Sequence, residues 1–284
     1  MAAACSSEPA SPDSPDGAGG EPGASGSGTG GKAGSAPASC PAEPNHKTVT
    51  QPVVVGSVSG QIVDEQGEPT SAGLVQVCGK NICINARVGD NGKLAEGVNK
   101  ELDAPACKFG DGLTWGKLAV PLDAGDSELG TLMTVRLPDF ADGVAFTPGT
   151  TISSGGVTLT LAPSALVELD TLTYENESEL GFRAVQLPEQ ALTQLGQDFV
   201  AGWVVSPVDT HICPSPAASL ENTTELAPGT ALELFVLGVN VEEAWAPYGG
   251  WQKVGEGQVS DDGATLDFPD GLPLLTAIGV RERP

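Results

Sequence analysis

The chain has 284 residues, with 13 Lys plus Arg against 37 Asp plus Glu and a formal net charge of -24. A field of that sign repels phosphate backbones and anionic lipid surfaces, which sets nucleic acid aside as a partner. Aromatic content is 5%, Gly (38) and Pro (23) are abundant, and no apolar run approaches the roughly 18 residues of a membrane-spanning helix; the composition reads as an all-β, turn-rich protein.

Residues 1–44 contain 34 Gly, Ala, Ser or Pro, and no Val, Ile, Leu, Phe, Tyr or Trp precedes Val49. Such a stretch cannot bury enough apolar area to offset backbone ordering, so 1–48 is expected to be a disordered tether, its first 44 residues spanning about 35 Å as a flexible coil. Its Gly26-x-Gly28-x-x-Gly31 has neither the strand before nor the helix after that a dinucleotide site needs. The start, Met1-Ala2-Ala3-Ala4-Cys5-Ser6-Ser7, places small residues before a cysteine and a polar spacer after it. This resembles the lipobox of bacterial lipoproteins, which implies lipidation at Cys5 and an exported protein held at the outer membrane or cell surface. Ala2 stands where Leu is usual, and the basic and apolar signal regions are missing, so an ordinary linker with a chance cysteine is the competing reading.

Residues 49–138 read as a first β body. Val53–Asp64 is strand-like, Asp64–Pro69 a turn, Leu74–Val77 and Ile82–Ile84 short strands, and Gly89-Asp90-Asn91-Gly92 a tight turn. Further strands are predicted at Lys117–Leu122 and Thr131–Leu137. Gly60-Gln61-Ile62-Val63-Asp64-Glu65-Gln66-Gly67-Glu68-Pro69, followed by Asp90-Asn91-Gly92-Lys93-Leu94, resembles the carboxypeptidase regulatory-like domain, a small transthyretin-like β-sandwich. The resemblance covers about 50 residues, lacks the family's later Gly-x-Tyr, and implies a structural or binding module without catalytic apparatus.

Residues 139–284 read as a second β-sandwich-like domain. Val157–Leu161 alternates, and strands are predicted at Gly181–Leu187, Phe199–Val205, Ala231–Val236, Gly250–Val259, Ala264–Phe268 and Leu272–Val280. Pro188–Leu195 is the best candidate for a short helix, with Pro at its first turn. Phe182–Pro188, Gly250–Val254, Val259–Leu266 and Leu274–Ile278 are similar to strands of ZU5-like extracellular domains, which again implies surface location and no chemistry.

With Cys5 as the anchor, five cysteines remain. Cys78 and Cys83 flank a four-residue hairpin loop and are expected to pair; Cys107–Cys213 is the second candidate bridge, and zinc is disfavoured because only His46 and His211 exist. No G-x-S-x-G, H-E-x-x-H or P-loop occurs, Pro207–Pro214 reads as a loop bearing His211 and Cys213, and no catalytic residue, metal or cofactor is expected. Two binding candidates stand out. Trp245, Tyr248 and Trp251 form either a sugar-stacking platform or core caps, and the acidic runs Asp123–Glu128 and Asp261–Gly263 are either Ca²⁺ loops or solvated turns. The sequence thus predicts an exported, non-catalytic surface lipoprotein that engages an envelope protein or a glycan, with a secreted carbohydrate-binding module as the alternative.

Overall fold

Alternating apolar residues build strands along most of the chain. The computed structural model describes Cys40, Pro44 and residues 51–170 and 173–284. The expected tether and its Cys5 therefore lie outside the described residues, apart from Cys40 and Pro44. The first strands are β1 (Val53–Val63), β2 (Val75–Cys78), β3 (Cys83–Asn85), β4 (Lys93–Leu102), β5 (Ala106–Phe109), β6 (Leu118–Pro121) and β7 (Gly125–Met133). They are followed by β8 (Thr151–Ser154), β9 (Val157–Thr160), β10 (Leu166–Glu168), β11 (Arg183–Gln186), helix α1 (Glu189–Gln194) and β12 (Ala201–Ser206). The chain closes with β13 (Thr210–Cys213), β14 (Ala217–Glu221), β15 (Ala231–Leu237), β16 (Trp251–Val259), β17 (Thr265–Phe268), β18 (Leu274–Leu275) and β19 (Ile278–Glu282). The fold is all-β, as the composition predicts. Among the described residues no helix is long and apolar enough to cross a membrane.

In the first body β1 lies between β4, antiparallel, and β7, parallel, while β3-β2-β5-β6 forms an antiparallel sheet. A register shift between Val55 and Ser57 switches the parity of β1, so that Val55 and Val58, three residues apart, both reach the core. The predicted turns form: the Gly67 N–H donates to Asp64 O and the Gly92 N–H to Gly89 O, with both glycines at positive φ. Cys78 and Cys83 sit opposite one another on β2 and β3 and carry the predicted disulfide. Cys107 is buried and free, whereas Cys213 is bonded to Cys40, which corrects the expected Cys107–Cys213 pairing. The physical reason is position: Cys107 is a core residue of β5, among Val77, Phe109 and Leu118, and its thiol is pushed up to about 12 by burial.

In the second part nine strands form one antiparallel sheet, β11-β12-β19-β15-β16-β17-β14-β9-β8, that curls into a near-barrel, and β10-β13-β18 forms a small sheet. The ends of the large sheet meet at a seam where the Ala184 N–H donates to Ser154 Oγ at 3.0 Å and the Trp203 indole N–H donates to Gly155 O at 3.1 Å. Gly155 is required there, because a Cβ would strike Ala184 O. The continuous apolar runs of β12 and β15 have a simple cause: both faces are covered. Trp203, Val205, Leu234 and Val236 face the barrel core, while Val204, Phe235 and Leu237 join the core of the first body. Leu187, Ala191, Leu192, Leu195 and Phe199 join that first core as well, so apolar packing crosses residue 138, and residues 37–284 group as one compact unit.

Polar side chains stitch the same boundary. The Gln194 amide accepts from the Met133 N–H at 2.5 Å and donates to Met133 O at 2.7 Å, extending the ladder of β7 by one side chain. The Arg183 guanidinium, 1% exposed, donates to Leu113 O, Pro138 O and Ser206 Oγ and stacks 4.4 Å from the Phe140 ring centroid. The Tyr174 hydroxyl donates to Gly112 O and accepts from the Val208 N–H.

Candidate functional site

A cleft of about 1000 Å³ opens where four distant stretches of chain converge. Glu65 comes from the turn after β1, Val135 and Arg136 from beyond β7, and residues 185–189, 192–193 and 196–200 from β11, α1 and the approach to β12; Thr224 and Leu226 follow β14. The volume sits at the upper end of the range of small-molecule sites, about 300–1,000 Å³. Leu187, Leu192 and Phe199 are buried beneath it, and half-buried Val185, Pro188, Val200 and Leu226 extend the apolar floor.

The rim is polar and partly pre-set. The Glu65 carboxylate accepts from the Arg136 N–H at 3.3 Å, the Gln186 amide donates to Thr223 Oγ1, and the Thr193 hydroxyl donates to Glu189 O at 3.0 Å. Helix α1 beneath is held by the Gln194–Met133 pair. Glu65, Glu189 and Asp198 stand against a single cation, Arg136, whose guanidinium rests 5.5 Å from the Trp115 ring centroid. This balance favours neutral or cationic ligands over anions. Gln186, Gln197, Thr193 and Thr224 add groups that both donate and accept. The lining includes no His, Cys, Lys or Tyr; its ionisable groups are Glu65, Glu189, Asp198 and Arg136.

The three candidate aromatics are not brought together. Trp245 (9% exposed) belongs to the barrel core, Tyr248 (7%) to the core of the first body, and half-buried Trp251 packs edge-on against Phe199, with centroids 4.7 Å apart. The core-cap reading fits the burial of Trp245 and Tyr248. Trp251 contributes indirectly, as backing for a residue of the cleft floor. Burial pushes the Tyr248 phenol up, with the nearby Cys107 adding to it; its hydroxyl has no hydrogen-bond partner among the described residues, and Lys108 Nζ lies 5.6 Å from the ring centroid.

Residues 207–214 are not the expected loop: Thr210–Cys213 is strand β13, paired with β10 and β18. Two prolines bracket the run and masked its strand character. His211 and Cys213, two apart, both line a hollow of about 190 Å³ with Cys40, Leu166 and Trp245. That is below the size of a sugar or peptide site. Cys213 is in its disulfide, so its sulfur is no nucleophile in this form, and His211 Nε2 lies 3.1 Å from Glu243 Oε2.

Asp209, two residues before His211, is the unusual group. Its backbone is left-handed (φ 60°) and its Oδ1 has no hydrogen-bond partner among the described residues. Burial pushes its carboxyl up to about 6, with Lys117 pulling it down and Glu243 and Asp170 pushing it further up. A folded-state value above the unfolded 3.8 means that the native state holds the proton longer, so stability falls as pH rises from about 4 to about 6 and is level above that. Two pH units correspond to about 3 kcal/mol. Asp209→Asn, which suits the left-handed backbone, is expected to remove this slope and to raise urea stability at pH 7 by up to about 3 kcal/mol. Wild type and variant should converge near pH 4.

The acidic runs behave as structure. Asp126, Ser127 and Glu128 lie in β7, where Asp126 accepts from the Ser57 hydroxyl, and Asp262 accepts from the Ser260 hydroxyl and the Ala264 N–H in a turn. These hydrogen bonds hold the Asp262 carboxyl below its ordinary value. Among the described residues no three His, Cys, Asp or Glu side chains are grouped to hold a metal ion. Asn222 spends its amide on Leu226 O and Gly263 O.

No family model and no curated protein matches the chain. Among solved structures, the Bacillus anthracis TIE protein aligns at 11% identity and a TM-score of 0.23 over 81% of this chain, which spans about half (48%) of that longer one. A Bacteroides uniformis protein to which carbohydrate binding has been ascribed aligns at 11% identity and 0.21, over 81% of this chain and 80% of the other. A DUF3823 family protein from Bacteroides ovatus aligns at 6% identity and 0.21, over 76% and 97%. Scores this low establish no kinship.

Proposed function

We propose that the chain is an exported, non-enzymatic protein of the bacterial envelope, lipid-anchored through Cys5 on its Gly/Ser/Ala/Pro-rich tether, whose β body engages an envelope protein or a glycan. Two disulfides carry this reading, because such bonds persist in oxidising compartments and are rare in the cytosol. On this proposal residues 49–138 form a carboxypeptidase regulatory-like body and 139–284 a ZU5-like one, the two sharing the apolar wall of β12 and β15. The non-catalytic part of the reading is supported by the bonded state of Cys213, whose sulfur is not available as a nucleophile.

Growth with a labelled fatty acid tests the anchor. Label is expected in the wild type, fractionating with membranes, and not in Cys5→Ser, which should be released from the surface. Recovery of the wild type from the cytosol with all thiols free overturns the proposal. A secreted carbohydrate-binding module is the second reading, favoured by one observation: amides, hydroxyls and carboxylates ring an apolar floor. On that reading glycan arrays should detect wild-type binding that the double change Gln186→Ala and Gln197→Ala weakens at least tenfold, and a silent wild type removes it.

A further inference from the structure

We propose that the chain is built to carry tension, with the Cys40–Cys213 bridge handing load from the N-terminal segment directly to strand β13 and leaving the covalent loop between the two cysteines slack. The observation is topological. Cys40 precedes β1, the first strand among the described residues, and its partner Cys213 lies 173 residues further on, at the end of β13. About 12 residues separate Cys40 from Val53, with a reach of up to about 40 Å, so a pull on the N-terminal side is taken up by the sulfur–sulfur bond before β1 feels it.

Without the bridge, the same pull enters at Val53. It would draw out β1, the middle strand of β4-β1-β7, and with it Val55, Val58 and Ile62 of the first core. With the bridge, load arrives beside Ile212, a residue of the barrel core whose N–H donates to Pro273 O at 3.0 Å, on a strand flanked by β10 and β18. Everything from β1 through β12 lies inside the loop. That includes Glu65, Arg136, Gln186 and Phe199 of the cleft, whereas its Thr224 and Leu226 follow Cys213 on the loaded side. The inference rests on the proposed anchoring only for the source of the force; the load path follows from the bridge alone.

Pulling on the full chain between handles at residues 1 and 284 in optical tweezers tests it. Under oxidising conditions complete unfolding should release only the residues after Cys213, about 71 of them and about 250 Å of contour. Cys40→Ser should release everything after residue 40, about 880 Å. Oxidised wild type that reaches the longer extension, or that matches Cys40→Ser, overturns the proposal. Should Cys40→Ser fail to fold, the comparison is made on one molecule: wild type unfolded at constant force is exposed to reductant, and a further gain of about 600 Å is expected as the bridge opens. No gain overturns the proposal. The measurement contains no membrane, so its failure leaves lipidation at Cys5 untouched, and loss of the fatty-acid label leaves the load path untouched.

Discussion

Cys40→Ser is expected to lower the unfolding free energy by about 5 kcal/mol, and Cys78→Ser by only about 2 kcal/mol. Both remove one disulfide; the difference comes from the length of chain each one closes, 173 residues of separation against 5. A cross-link stabilises chiefly by restricting the unfolded chain, and that restriction grows with the logarithm of the loop. Cys40 is exposed, whereas Cys78 is a core residue of β2 that keeps its ladder to β5 without the bridge. Thermal midpoints should therefore fall by about 10–20 °C for Cys40→Ser and about 4–8 °C for Cys78→Ser. Equal losses, or the reverse order, would show that local geometry and not loop length sets the contribution.

Arg183→Ala is the second large expected loss, about 3–5 kcal/mol, because it removes the partner of two half-buried carbonyls and a buried hydroxyl and opens a cavity. Leu113 O, Pro138 O and Ser206 Oγ all turn to the same guanidinium, and the Phe140 ring loses its cation. These acceptors are two carbonyls and a hydroxyl, and burial pulls the Arg183 pKa below the ordinary arginine value. Arg183→Lys keeps the charge, yet an ammonium cannot reach acceptors spread over a planar fork; a loss of about 2 kcal/mol is expected. Chemical denaturation of the two variants at pH 7 tests the order. A lysine variant as damaged as the alanine one would mean that charge contributes nothing there.

Much of the strand pattern was legible because period-2 alternation is local. Val157–Leu161 announces β9, and the glycines at 67 and 92 mark turns that form. Strand β4 was harder: Leu94, Val98 and Leu102 recur every four residues, a spacing shared by a helix face and a strand face, with charged Glu96 and Lys100 between them. The runs in β12 and β15 read as strands, but nothing local says that their two faces belong to two different cores. The cleft was illegible for a related reason. Glu65, Arg136, Gln186, Phe199 and Leu226 meet only through packing of distant segments, and each alone looks like an ordinary surface or core residue. Cysteine spacing pointed to Cys78–Cys83 but not to the partner of Cys40, which stands in a stretch with no apolar pattern and no clue that it reaches β13.

The seam between β8 and β11 bears on how many copies can share one surface. An open sheet ends in strands whose main-chain groups invite another polypeptide to add itself, a hazard that grows as molecules are concentrated side by side. Here the last residue of β8 turns its hydroxyl to the amide of the opposite end, and Gly155 lies flat against the carbonyl beside it. The seam offers no template at that point, so the large sheet cannot be extended there by a strand from a neighbouring copy.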